Sequence, residues 1–390
     1  MLYAPEAQEA LTERPWDEGR ARDEIARIVS DADETYAPGE LWPADEWDAW
    51  DVPTPLSSLY CGAAGVVWAL DALRRRGSAE SRLDLKAIAE ASLERWREAP
   101  ELSPSTPMPV AAESGLLSGE TGILLVAWRL GASGELEDEL ERRILESRAS
   151  AADELMWGTP GALVAAQALL GWTGDKRWAN AWSQTAEVLW QRRSADGIWT
   201  QDLFGSQFRG LGPVHGLVGN VLALLGGELA PERRSALLHD AKSILERTAV
   251  IEDGLVNWPP SVESAKEKLR LQWCHGAPGI VVSAADYLRD DLLVGGAELT
   301  WEAGPPGMEK GSGLCHGTAG NGYAFLKVFE RTGDKRWLER ARRFCMHALE
   351  QIERRGHGRY SLFTGDVGVA LYAADCLAGR ASFPILDGWD

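Results

Sequence analysis

Basic residues are outnumbered: 40 lysines and arginines face 59 acids, leaving a formal charge of −19 over 390 residues. A chain built to grip phosphate backbones or anionic lipid carries the opposite balance, so nucleic acid and membrane are set aside as partners. Long apolar runs are missing too. No stretch approaches the ~20 residues needed to cross a bilayer. Residues 1–16 hold Glu6, Glu9 and Glu13 where a secretory signal needs basic and then apolar residues, so a cytoplasmic protein is expected. Cysteine is scarce, five in all and an odd number, which favours reduced thiols or metal ligands over a disulfide framework. No Gly/Ser-rich or Pro-rich linker exceeds the loop at 102–109.

What is present is a repeat. Gly-x-x-Gly recurs along the chain, and seven copies stand at the head of an apolar stretch, with first glycines Gly62, Gly119, Gly158, Gly216, Gly276, Gly317 and Gly365. An apolar stretch too long and too rich in Ala and Leu for a strand follows each second glycine: 66–73, 123–130, 162–170, 220–225, 280–288, 323–329 and 369–377. Each predicts a buried helix. Between them run charged segments with apolar residues at spacings of three and four, such as 83–96, 178–192, 231–247 and 337–354, which predict half-exposed outer helices. The hexapeptide TGDKRW joins an inner to an outer helix twice, at 173–178 and 332–337. Helical pairs repeated about seven times stack into an open solenoid or close into an α/α barrel. Closure is favoured, because it gathers every glycine turn at one end of the ring. The expectation is an all-α protein, an α/α toroid of about seven inner and seven outer helices.

Chemistry is attached to some of these turns. Cys274 stands two residues before one glycine, in WCHGAPG, and Cys315 and His316 precede the next, in LCHGTAG. If the turns converge, two thiolates and an imidazole can meet, a zinc set with three protein ligands and a fourth position left for water or substrate. The alternative is two buried, inert cysteines and a histidine at a helix start. Acids also stand at the turns, Glu120, Glu154 and Asp366 among them. They keep open an α/α-barrel glycoside hydrolase using a carboxylate pair, and a non-catalytic peptide-binding scaffold is a third reading.

WCHGAPG, LCHGTAGNGYAFL and the closing YSLFTGDVGVALYAADCL resemble the lanthionine synthetase C-like (LanC-like) proteins, nearer the eukaryotic-type branch with its WCHGAPG and SLFEGxAG. The resemblance runs from about Ser57 to the C-terminus. It implies one toroid over residues 57–390, preceded at 1–56 by an arm and a first outer helix, with one Zn²⁺ per chain held by Cys274, Cys315 and His316. It places His215, in PVHGLVG, near the zinc, and a further acid at Glu154, with Asp153 beside it. Arg359 matches an arginine ahead of the SLFEG turn and is implied to bind substrate. This chain has Thr364 where that branch has Glu, a departure at the place from which a glutathione-type site would be carried over.

The implied reaction is addition of a Cys thiol to dehydroalanine or dehydrobutyrine, giving a thioether of the lanthionine type. The acceptor is a dehydroamino-acid-containing peptide or protein, and the thiol is that of a peptide cysteine or of a small molecule such as glutathione. No dehydratase, kinase or lyase segment is recognisable, so a separate enzyme is expected to supply the dehydro residue. A zinc-bound thiol is deprotonated, where a free one of pKa ~8.5 is not, and an imidazole of pKa ~6.5 suits the proton donor that the α-carbon needs. His215 takes that role, with Glu154 as its partner or as an alternative acid. The remaining cysteines, Cys61, Cys345 and Cys376, are expected in the core. The acidic, Trp-rich segment 40–50 reads either as an arm over the barrel or as a peptide-docking strip.

Overall fold

A computed structural model describes residues 1–132, 134–266 and 269–389. The seven Gly-x-x-Gly turns each open a helix. These are α3 (Ala63–Arg75), α5 (Glu120–Arg129), α7 (Thr159–Thr173), α9 (Leu217–Leu225), α11 (Ala277–Ala284), α13 (Thr318–Thr332) and α15 (Asp366–Ala378), and the first glycine of each motif is the N-cap. Consecutive members pack side by side, and α15 packs back on α3, so the ring is closed. Each is apolar on nearly all sides because each is covered on nearly all sides.

The outer layer consists of α1 (Glu18–Thr35), α4 (Leu85–Glu98), α6 (Leu136–Glu146), α8 (Lys176–Gln191), α10 (Pro231–Thr248), α12 (Asp290–Ala303) and α14 (Lys335–Arg355). Six of them follow the inner helix they cover. The seventh, α1, precedes the whole ring and lies on α15, so the first helix of the chain completes the last pair. The short α2 (Glu46–Ala49) and two hairpins, β1 (Gln201–Leu203) with β2 (Ser206–Phe208) and β3 (Val250–Glu252) with β4 (Leu255–Asn257), sit in connections. The expected seven-and-seven toroid is therefore the observed fold. No helix among the described residues is long and apolar enough to cross a membrane.

The repeated TGDKRW has a local cause. Thr173 and Thr332 return their hydroxyls to carbonyls four residues back, and Gly174 and Gly333 end the inner helix at φ 68° and 70°. Asp175 and Asp334 then cap the next helix by accepting from the N–H groups of Arg177 and Arg336. Trp178 and Trp337 follow as fully buried wedges between the layers. Removing 150–250 Å² of each indole from water contributes roughly 4–6 kcal/mol before conformational entropy is subtracted.

Candidate metal centre

The second glycine of every motif faces a main-chain carbonyl six residues earlier. A Cβ there would stand 1.7 Å from the Trp273 oxygen at Gly279, 1.7 Å from Leu314 at Gly320, 2.0 Å from Leu362 at Gly368, and 1.9–2.4 Å from the equivalent oxygens at Gly65, Gly122, Gly161 and Gly219. Glycine is required because the turn folds back onto its own helix, leaving no room for a side chain.

Folded this way, the residue two places before the first glycine pairs with its counterpart in the next turn at five steps of the ring. The N–H groups of Cys274, Cys315, Phe363, Tyr60 and Leu117 donate in turn to the carbonyls of Cys315, Phe363, Tyr60, Leu117 and Met156, at 2.8–3.3 Å, and Leu155 donates to Val214 at 3.0 Å. This belt of backbone hydrogen bonds holds the turns at one end of the toroid. Asn220 and Asn321, each following the second glycine, add side-chain links to the Asp153 and Leu271 carbonyls at 2.9 and 3.0 Å.

Cys274 and Cys315 are adjacent on that belt. With His316 they offer two sulfurs and a ring nitrogen all within 4.8 Å of one another. Zinc–sulfur bonds of about 2.3 Å and zinc–nitrogen bonds of about 2.0 Å set sulfur and nitrogen roughly 3.5 Å apart in a tetrahedron, and Cys315 Sγ lies 3.7 Å from His316 Nε2. The donor set therefore fits a zinc ion. Among the described residues no fourth His, Cys, Asp or Glu joins the group. Burial raises both thiols, but a hydrogen bond from Cys315 carries Cys274 well below an ordinary thiol, while Cys315, keeping the proton beside that thiolate, is raised well above. Gln272 Nε2 donates to Cys274 Sγ at 2.9 Å, and the Tyr60 phenol stands beside Cys315. Neither residue was singled out from the sequence. The signal for both lay in their places in the repeat, Tyr60 on the belt and Gln272 two residues before it.

His215 and Glu154 meet across 61 residues of sequence, Nδ1 to Oε2 at 2.8 Å. Glu154 is fully buried and also accepts from the N–H groups of Met156 and Trp157 at 3.0 and 2.5 Å. Burial lowers the imidazole's pKa, but the hydrogen bond and charge of Glu154 raise it, and the net shift is upward. Its side chain is 20% exposed. Asp153 turns the other way, to Arg192 at 2.9 Å, with burial pushing its carboxyl up to about 6. His275 stacks 6.1 Å from the His215 ring, and burial brings its pKa down to about 4, so it stays neutral.

A cavity of about 300 Å³ opens at this end of the ring, with His316, Tyr60, Trp157, Arg359, Trp47 and Trp50 on its wall. Cys61 also lines it, whereas Cys345 and Cys376 are buried in the core. The expectation of a core position therefore fails for Cys61, which precedes its glycine by one residue and so faces the rim. Arg359 is on the wall but is already engaged by Asp48 of α2.

The sequence profile of lanthionine synthetase C-like proteins matches residues 20–387. The chain belongs to this family. Among curated relatives of the LanC-like chain, glutathione S-transferase LANCL1 of Danio rerio is 28% identical over 277 residues, 64% of this chain and 65% of that one. LanC-like protein GCL1 of Arabidopsis thaliana is 35% identical over 127 residues, 29% of this chain and 28% of that protein. The alignments thus span less than two thirds of either relative's length. Among solved structures, nisin cyclase superposes with a TM-score of 0.61 at 16% identity, over 92% of this chain and 94% of its own. That likeness establishes the shared toroid.

Proposed function

We propose that this LanC-like protein is a zinc enzyme that adds a cysteine thiol to dehydroalanine or dehydrobutyrine residues, forming a thioether. The observation that carries the reading is the meeting of Cys274, Cys315 and His316 beside a cavity, a short way round the belt from the His215–Glu154 pair. When bound, zinc supplies a thiol that is deprotonated at neutral pH. The chain's residues do the rest. The two cysteines and His316 hold the ion, with Gln272 and Tyr60 orienting the sulfurs. Attack at the β-carbon forms the S–C bond and moves the alkene electron pair to the α-carbon, which takes a proton from His215. In the net change S–H and C=C become S–C and C–H, so no oxidant or reductant is needed. Glu154 fixes the ring through Nδ1, favours its charged form by hydrogen bond and charge, and leaves Nε2 to deliver the proton.

The carboxylates that kept a glycosidase open are committed elsewhere. Glu120 is paired with Arg97 and Arg143, Asp366 with Arg355, and Glu154 with His215. The test is incubation of the zinc-loaded protein with a dehydroalanine peptide, with and without added thiol, followed by mass measurement. Ring closure removes free thiol at constant mass, intermolecular addition raises the mass by that of the thiol, and no thioether in either arm overturns the proposal.

A further inference from the structure

One side of the cavity mouth is built by residues that stand outside the sevenfold repeat. After α1 the chain crosses to the rim, makes the single turn α2, and places Trp47, Asp48, Trp50 and Val52 on the cavity wall. Asp48 is turned inward, its side chain only 4% exposed. Both its oxygens meet Arg359, Oδ2 accepting from Nε at 3.0 Å and Oδ1 from Nη2 at 2.6 Å. The Thr364 hydroxyl donates to Oδ1 at 2.8 Å and the Ser361 hydroxyl to Oδ2 at 3.3 Å. Four donors saturate the carboxylate. Thr364, standing where SLFEG has its acid, therefore receives a carboxylate from the arm instead. A second clasp holds the same segment from the opposite rim, where Asp51 accepts from the Ser103 hydroxyl at 2.8 Å and from Ser105.

The consequence is electrostatic. Arg359 and Lys310 are the lysine and arginine residues on the wall, against the acids Asp48, Glu101 and Glu309. Arg359 is neutralised bidentately, the strongest form of the pairing. Lys310 is 3.3 Å from Glu309 and lies over the Trp47 ring at 5.5 Å. An entering carboxylate meets no unpaired cation. To gain Arg359 it must expel Asp48 and with it the turn of α2, or sit against Asp48 with like charges nearly in contact. An uncharged thiol meets neither obstacle, and it finds Trp47 and Trp50, 66% and 73% exposed, as apolar surface beside its path.

We propose that Asp48 is a specificity-determining residue. By occupying the Arg359 guanidinium it bars small anionic thiols and reserves the site for the uncharged thiol of a peptide cysteine, whose apolar neighbours rest on Trp47 and Trp50. The inference rests on the thioether-forming function above, so its test is first a binding measurement that needs no turnover. S-methylglutathione carries both carboxylates of glutathione and no reactive thiol. Titrated calorimetrically into the full zinc-loaded chain, it binds Asp48→Asn at least ~10-fold more tightly than the wild type. Asp48→Glu, which restores the carboxylate, binds as weakly as the wild type, and Arg359→Gln added to Asp48→Asn removes the gain. Equal affinity in wild type and Asp48→Asn, or tight binding by the wild type, overturns the proposal. Should Asp48→Asn lose the fold by circular dichroism, the wild type still decides: it binds the diethyl ester of S-methylglutathione at least ~10-fold better than the diacid, and equal binding overturns the proposal. In turnover with a dehydroalanine peptide, the wild type uses a neutral cysteine peptide over glutathione, and Asp48→Asn shifts the ratio toward glutathione. Absence of any thioether there sinks the parent function and leaves the calorimetry to decide the role of Asp48.

Discussion

Turns two and three of the ring and turns five and six share one cross-turn hydrogen-bonding scheme, although Gly276 of turn five has a φ of 110° where Gly119, Gly158 and Gly317 have −121°, −118° and −100°. Leu117 and Met156 occupy the belt positions in the first pair, Cys274 and Cys315 in the second, and every one of them takes part in the same cross-turn hydrogen bonding. Leu117 is 0% exposed and Cys315 2%. These cross-turn bonds run between main-chain groups, so they place no demand on the side chain presented at the donor or acceptor. The stations are held together by glycine contacts and N–H groups, and chemistry is loaded onto some of them. Fold and function are therefore separable here: the first follows from what every turn shares, and the second from what two or three turns do not.

The sharpest way to break that comparison is to exchange side chains at matched stations. Cys315→Ala is expected to take zinc from about one ion per chain to none and thioether formation down by ~10³-fold or more. Leu117→Ala, at the same backbone position, keeps its zinc and loses ~2–5 kcal/mol of stability. Metal analysis and chemical denaturation read both. Zinc retained by Cys315→Ala, or lost from a folded Leu117→Ala, contradicts the division of labour.

Next in size is His215, on the fourth turn. His215→Ala is expected to hold zinc at the wild-type level and to slow thioether formation by ~10²–10⁴-fold, the usual contribution of a positioned acid. An unchanged rate removes it from the mechanism.

The two halves should respond alike to an insult aimed at what they share. Gly320→Ala and Gly122→Ala put a Cβ 1.7 and 2.2 Å from the Leu314 and Leu116 carbonyls. Both are expected to cost roughly 2–4 kcal/mol in denaturant unfolding, because backbone cannot move aside as a side-chain tip can. Gly171, in α7 with open space around it, serves as the reference. Gly171→Ala is expected to gain ~0.5–1 kcal/mol from the unfolded chain's lost freedom. A large difference between the first two means that the turns are not equivalent.

This equivalence also explains what could be read in advance. The glycine spacing is a local constraint, a carbonyl six residues back, so it is written in every motif, and the helices, their two layers and ring closure follow from it. The meeting of Cys274 with Cys315 was legible because both stand at one offset from glycines whose turns converge. Pairings that cross the ring between unlike positions were harder. Glu154 and Asp153 are neighbours in sequence, and which of them faces His215 depends on the turn between them, where Asp153 has a φ of 44°. Asp48 and Arg359 are 311 residues apart, and α2 is one turn long with no periodicity to announce its register. An ion pair fixes that segment, and an ion pair leaves no pattern in the surrounding residues.

The smallest effect concerns that His215–Glu154 contact, which joins the third turn to the fourth. Burial alone would lower the imidazole's pKa, while the hydrogen bond and charge of Glu154 raise it above its ordinary value. A donor must be protonated, so the wild-type rate holds at low pH and falls as pH rises through this raised pKa. Glu154→Gln keeps a hydrogen-bonding oxygen but removes the charge, leaving burial to dominate, so the alkaline limb of the rate profile moves to lower pH. Stability shifts with the same sign. In the wild type the raised folded-state pKa contributes stabilisation that is full below the unfolded value and is lost as pH rises through the folded one. In Glu154→Gln the folded value falls below the unfolded one, and mild acidification then destabilises the fold relative to the wild type. Rate profiles and denaturation midpoints at mildly acidic and mildly alkaline pH measure both. An alkaline limb that does not move means that the proton comes from a group other than His215, and the fourth turn then contributes only scaffold, as turn two does.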